Sequence, residues 1–428
     1  MILWICTIFV VCIITSMIFY KPYLGVVAVI MSIPFEGVID FGYISVYPLE
    51  TILAITVLVC IYKGIVGGCN YFGNVKLVYC CVPFVLCIML SAVKSTELSL
   101  TVKEIVRWLE LFLIYYLTIN LINDDKKMRI ILYSMFLTVA MVSVLGIINY
   151  LSMGHRAVSL FGNSNPLAGY VNLIIPVLFG MLMSGVFLWE KITLGAFTGL
   201  SIVTWFLSFS RSGWLSLIIT MVLFFFINKA KRRVVFISLI IFSIFAVIVF
   251  FTNIKDDLLN RSTLEGIQLS TESRIKCYPL GFNMVKDDLI FGVGTGNYCS
   301  LIKSFTENDT SIYMSKAKQQ RLKKLVVKSH LHSLYLQIFV ETGFMGLFAF
   351  IFWLVCNVKY LVSSLRTLEN TRNYSLLVGL VGGVIVYLFN NLVDVLVVHG
   401  IHLQFGIILG LAVVLTQLRE SDACSKTV

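Results

Sequence analysis

The chain has 428 residues, of which 59% are hydrophobic and 13% charged, with a formal net charge of +11. Soluble domains carry about a quarter charged residues, so an ordinary soluble enzyme is excluded. The positive charge follows from membrane topology rather than from a compact basic surface, and no nucleic acid is expected as a partner.

Apolar stretches near the length a bilayer requires recur along the whole chain. They fall at 2–20, 23–37, 48–66, 76–94, 105–123, 129–151, 167–188, 192–209, 213–228, 234–252, 333–360, 374–394 and 400–418. The expected fold is an all-α polytopic membrane protein with about 12–13 transmembrane helices. Tyr20-Lys21-Pro22, not a run of small residues, follows the first stretch, which reads as a retained helix. Three basic joints set the orientation: Lys126, Lys127 and Arg129; Lys229, Lys231, Arg232 and Arg233; and Lys359, Arg366 and Arg372. They alternate as cytoplasmic loops. The chain then divides into N-terminal transmembrane helices (1–252), an extracytoplasmic loop (253–332), and C-terminal transmembrane helices with a short cytoplasmic tail (333–428). Most of the 11 cysteines lie in apolar stretches as small hydrophobes. Cys277 and Cys299 share the long loop, and the sequence leaves their pairing open.

Glu36, Asp40 and Glu50 flank the first outer loop without a DxD pair, which favours loop polarity over a metal site. Glu104, Arg107 and Glu110 are spaced by three on one helix face and read as a mutually neutralising triad, with a substrate role second. In Arg156–Tyr170, Asn165 before Pro166 reads as a cap followed by the first helical position, with Asn163 in the turn ahead of it. The exposed helix N-terminus suits a phosphate, although capping alone explains the stretch. In SFSRSGW, Arg211 stands between two apolar runs. Snorkelling would explain it, and a guanidinium fixed in a tight turn is also a phosphate clamp.

The long loop carries Arg274 and Lys276 at the start of a stretch, 274–286, with the pattern of a helix lying on the membrane surface. Gly292, Gly294 and Gly296 lack the βαβ context of a nucleotide fingerprint and read as a turn near substrate. Lys316–Lys328 either meets lipid headgroups or an acidic ligand, or forms a solvated helix. At 329–346, SHLHSLYLQIFVETGFMG, His330 and His332 sit where water meets lipid. Glu341 lies deeper, and an ionisable group at that depth is costly. Gln337 and Glu341 share a face; His332 and Glu341, nine apart, do not. Asn390, Asn391 and Asp394 line the same cavity or bond between helices. His399 and His402 lack the companions of a zinc site.

The ordered motifs FGNSNPLA, SFSRSGWL, ESR with GVGTGNY, and HLHSLYLQIFVETGFMG resemble the O-antigen ligase and polymerase superfamily across roughly 156–418. The resemblance implies a GT-C-like helical fold in the bacterial inner membrane, with the active site facing outward. It implies a polyprenyl-diphosphate-linked glycan donor, and a glycan, lipid-core or protein acceptor, among membrane lipids. Arg211 and Arg274 match the family's arginines, and His332 matches the histidine of its HN motif, where Ser333 replaces Asn. On this reading Arg211 and Arg274 hold the leaving diphosphate and His332 is the base. Lys276, Asn163, Asn165, His330, Glu341 and Asp394 are assigned to substrate contact. Neither metal nor cofactor is expected, and transfer is expected to invert the sugar. A transporter or flippase for a lipid-linked glycan is the alternative, with inverted repeats and broken helices as its signature.

Overall fold

The structure is a computed structural model. It describes residues 2–35, 39–40, 45–46, 48–68, 71, 73, 77–154, 156–227, 277–298, 300–302, 330–369, 371 and 373–425. The proposed span at 234–252, Arg274, Lys276, Cys299 and Lys316–Lys328 lie outside the described residues.

The helices are α1 (Ile2–Tyr20), α2 (Tyr23–Ser32), α3 (Pro48–Gly67), α4 (Val82–Ala92), α5 (Leu98–Leu121), α6 (Asp125–Met153), α7 (Ser164–Met183), α8 (Leu188–Leu207), α9 (Arg211–Ile227), α10 (277–285), α11 (Leu334–Thr367), α12 (Tyr374–Asn390) and α13 (Ile401–Ser425). A hairpin of two-residue strands, Ile39–Asp40 with Ser45–Val46, is the only sheet among the described residues. Every apolar stretch that falls on described residues is helical, and the chain is an all-α polytopic membrane protein. Among the described residues α3, α6, α7, α11 and α13 are long and apolar enough to cross a membrane by length and composition.

The bundle is built around α7, which is buried on nearly all sides. α12 packs antiparallel to it at a backbone-to-backbone approach. A Cβ on Gly180 would come within 2.7 Å of Gly379 Cα, and one on Gly383 within 2.9 Å of the Leu173 carbonyl. Small residues allow this closeness, which replaces the missing hydrophobic drive in lipid with dispersion contact. α13 runs parallel to α5, with Gly406 against Leu111 and Gly410 against Tyr115 and Thr118.

These pairings define two ends. At one, Arg419 makes a two-pronged bond to Asp125 (2.9 and 2.7 Å), and Arg129 reaches Glu190 at 3.2 Å. This end also carries Lys126, Lys127 and Arg366, and it is the end the charge rule makes cytoplasmic. The opposite end gathers the N-termini of α5, α7, α9, α11 and α13.

Candidate functional site

The site end is built on the start of α11. Ser333 is extended, and its hydroxyl accepts from the Leu336 N–H at 3.5 Å, so the serine in the Asn position of the motif serves as the helix cap. The Leu334 N–H donates to the Asn391 carbonyl at 2.9 Å, and the Tyr335 hydroxyl donates to the Leu388 carbonyl at 3.1 Å. These bonds bolt the start of α11 to the end of α12. His332 stands just before the cap, half-buried, with φ 52°.

α11 is not one continuous helix. Gly343 has φ 67° and ψ −168°, and the helix breaks there. A break strands backbone donors and acceptors, which must find partners when buried. The glycine turn of the long loop supplies them. Val293 and Gly294 N–H donate to the Val340 and Glu341 carbonyls (2.9 and 3.0 Å), and Phe344 N–H donates to the Leu289 carbonyl (2.8 Å). The Glu341 carboxylate joins the clasp: Oε2 accepts from the Gly296 N–H at 3.0 Å, and Oε1 from Gln337 Nε2 at 3.4 Å. The shared face expected for Gln337 and Glu341 is thus present. Across the turn, the Thr101 hydroxyl donates to the Thr295 carbonyl at 2.8 Å and the Ser95 hydroxyl to Asn297 Oδ1 at 3.1 Å. Lys94 and Asp288 form an ion pair. The helix expected on the membrane surface is α10, and it buries Cys277, Met284 and Val285 against Leu331, Phe339 and Val340, leaving Phe282 exposed.

Beneath the clasp lies a narrow polar cleft. Glu104, Arg107, His330, Gln337 and Glu341 line it, over Phe84 and Trp108. Arg107 Nη1 donates to Glu104 Oε2 at 2.5 Å. Glu110 does not complete a triad with them. It lies 3.7 Å from His402 Nε2 on α13, because the third position along that face meets a different neighbouring helix. Burial, with Arg107 and His399 nearby, holds the His330 imidazole below its usual pKa range.

A second constellation surrounds Arg211, the exposed first residue of α9. The turn before it contains Phe209 at φ 49°. Arg156 holds this turn: Nε donates to the Ser208 carbonyl at 2.8 Å, and Nη2 to the Phe209 carbonyl at 2.9 Å and to Asn165 Oδ1 at 3.3 Å. Asn172 on α7 donates to the Gly213 carbonyl at 2.9 Å and to the Ser216 hydroxyl at 2.8 Å. The N-termini of α7 and α9 therefore sit side by side. The cap of α7 is Asn163, whose Oδ1 accepts from the Asn165 N–H at 3.1 Å. Asn165 is already helical and Pro166 falls in the first turn, where its missing N–H costs nothing.

His399 links the two constellations. It packs edge-on against Phe161 at 6.0 Å, has φ 50°, and is near enough to His330 to disfavour its protonation. Asp394 Oδ1 accepts from the Val395 N–H at 2.9 Å, beside the cleft wall formed by Val395. Among the described residues the non-glycine positions with left-handed φ are Ser159, Phe209, His332 and His399, and all four are at this end. Each costs about 1–2 kcal/mol, and such strain concentrates where function over-determines the backbone.

Residues 196–351 match the family model described as O-antigen ligase. The match supports assignment to the O-antigen ligase/polymerase superfamily. No curated protein matches the chain. The segment matched to O-antigen ligase holds Arg211, the glycine turn, His330, His332, Glu341 and the Gly343 break. Arg107, Arg156, Trp108 and Asn163 enter the site from outside it. The match, with the apolar helices, supports in general terms a multi-pass membrane enzyme that processes glycans, with lipid-linked glycan and membrane lipid as partners.

Proposed function

We propose that the protein transfers or polymerises a polyprenyl-diphosphate-linked oligosaccharide onto a glycan, lipid-core or protein hydroxyl at the outer face of the inner membrane. The observation that carries this reading is the gathering of exposed Arg211, two helix N-termini and His332 at the end opposite the basic joints. The Arg211 guanidinium and the N-terminal N–H groups take the diphosphate oxygens, and Arg274 and Lys276 add charge from the loop. His332 accepts the proton of the attacking hydroxyl. The new glycosidic bond forms on the face of C1 opposite the breaking bond to diphosphate, so the sugar inverts. Asn163, Asn165, His330, Glu341 and Asp394 bound the substrate.

Two cations replace a divalent metal in this scheme. Transfer from lipid-linked oligosaccharide by the purified protein should therefore persist in excess chelator. Loss of activity, restored by a divalent ion, would contradict the scheme and return attention to Glu36 and Asp40. Arg211→Lys should lower turnover about a hundredfold or more although charge is kept, because a point charge cannot make the two-pronged phosphate contact. Wild-type rates for this variant would remove Arg211 from the site.

A carrier for the same lipid-linked glycan is the second reading, and the break in α11 at Gly343 is what favours it. The loop backbone fills that break, which counts against a helix opened for substrate. Counter-flow of labelled lipid-linked glycan in vesicles, without any new glycosidic bond, would support the carrier.

A further inference from the structure

The site end carries an apolar surface that the transfer scheme does not use. Lys286, Asp287 and Asp288 are followed at once by Leu289, Ile290 and Phe291, and all three apolar side chains are exposed. A contiguous exposed apolar surface marks an interaction site. The break in α11 fixes its place. The Phe344 N–H donates to the Leu289 carbonyl at 2.8 Å and the Met345 N–H to the Ile290 carbonyl at 3.3 Å, so the tip of the loop lies against the first residues after the break. From there to Thr367, α11 runs for about 36 Å at about 1.5 Å per residue, against about 30 Å of hydrocarbon in a bilayer. Its exposed face is one apolar stripe, Phe344, Phe348, Phe352, Val355 and Val362, at helical spacing. That stripe is the lipid face of a membrane-spanning helix, and the tip meets its upper end. A ladder of rings continues it into the loop: Phe348 to Phe344 at 6.0 Å, Phe344 to Phe339 at 4.7 Å, and Phe339 to exposed Phe282 of α10 at 5.8 Å.

We infer that Phe282 and the Leu289–Phe291 tip form a membrane anchor, with their side chains among the phospholipid acyl chains of the leaflet at the site end. The inference goes beyond glycan transfer and does not depend on it. Continuity selects the occupant. The patch has no boundary toward the bilayer, because it passes directly into the lipid face of α11, and a protein covering it would have to cover part of that face as well. Its other edge is polar. Lys94 pairs with Asp288, and its ammonium stands 5.4 Å over the Phe291 ring. A lysine stem laid on apolar surface with its charge at the rim suits the headgroup level. Apolar side chains below and charges above follow the polarity of a bilayer surface. The backbone also meets the condition for entering lipid, where non-helical chain must bond within the protein. Besides the two carbonyls held by α11, the Phe291 N–H donates to Asp288 Oδ1 and the Gly292 N–H to the Asp288 carbonyl, both at 3.0 Å.

Photo-crosslinking tests the anchor. Benzoylphenylalanine is placed singly at Ile290, Phe282, Phe348 or Lys286 of the full-length protein, which is irradiated in liposomes of tritiated phosphatidylethanolamine and phosphatidylglycerol. Ile290 and Phe282 should yield phospholipid adducts as Phe348 does, about tenfold or more above Lys286 on the charged side of the same turn. Adducts at Ile290 and Phe282 no more frequent than at Lys286 overturn the inference, since the loop then faces water. In native membranes, cross-linking of these two positions chiefly to a second copy of the chain, to another protein or to polyprenyl lipid alone would overturn it too. The unaltered protein gives a reading free of any effect of substitution on folding. A carbene reagent dissolved in the bilayer should modify 289–291 as strongly as 344–348 in peptide maps. Label on 344–348 with none on 289–291 would contradict the anchor.

Discussion

His332→Ala is expected to lower turnover about a hundred- to ten-thousand-fold, the usual worth of a positioned proton acceptor. Binding of the lipid-linked donor should persist, because the proposed scheme places its phosphates elsewhere, at Arg211 and the paired helix N-termini. The substitution should barely disturb the fold. Alanine at φ 52° carries a similar left-handed cost to histidine, the buried Leu331 before it is untouched, and Ser333 still caps α11. Turnover measured in membranes with matched protein amounts tests this. Full activity of the variant would take the base away from His332 and leave its strained backbone without a reason.

The second large effect is structural. Gly343→Ala places a methyl group against the Ile290 carbonyl at a position with φ 67°. Gly292→Ala meets the same clasp from the other side, 2.6 Å from the Val340 carbonyl oxygen and the Gly343 nitrogen. Left-handed strain of about 1–2 kcal/mol and overpacking of about 1–3 kcal/mol act together, for a loss of about 2–5 kcal/mol. The loop should come away from α11, and with it the Gly296 bond to Glu341. Limited proteolysis of detergent-solubilised protein is expected to cut the loop of either variant much faster than that of the wild type. Unchanged protection would mean that the turn does not depend on the break.

The sequence reached this site unevenly, for physical reasons. Apolar length locates helices because the bilayer imposes it, and each such stretch that falls on described residues is a helix. Local spacing also carried Gln337 to Glu341, four residues apart on one face. Spacing does not name the neighbour across a helix face, so Glu110 went to Arg107 on paper and to His402 in the bundle. Asn165 before Pro166 satisfied the usual cap rule, yet the backbone turns two residues earlier, at Asn163. The glycine turn was legible as a turn. Its docking into a helix break some 50 residues later in the chain was not, since no local pattern encodes a long-range backbone ladder. His330 read as a companion of His332 at the membrane boundary, and only the fold shows it turned into the cleft. A glycine with a glutamate two residues before it, inside an otherwise apolar helix, was the available sign of the break.

The measurement closest to the central claim is the fate of the glycan in cells lacking this protein, read as both the lipid-linked pool and the surface chains. The account predicts that polyprenyl-diphosphate-linked oligosaccharide accumulates while the surface saccharide stops short. A bare core identifies ligation as the missing step, and a core bearing single repeat units identifies polymerisation. Complementation with wild-type protein should restore the chains, and complementation with His332→Ala at the same level should not. Surface chains of normal length with no accumulated donor would contradict a transferase at this site.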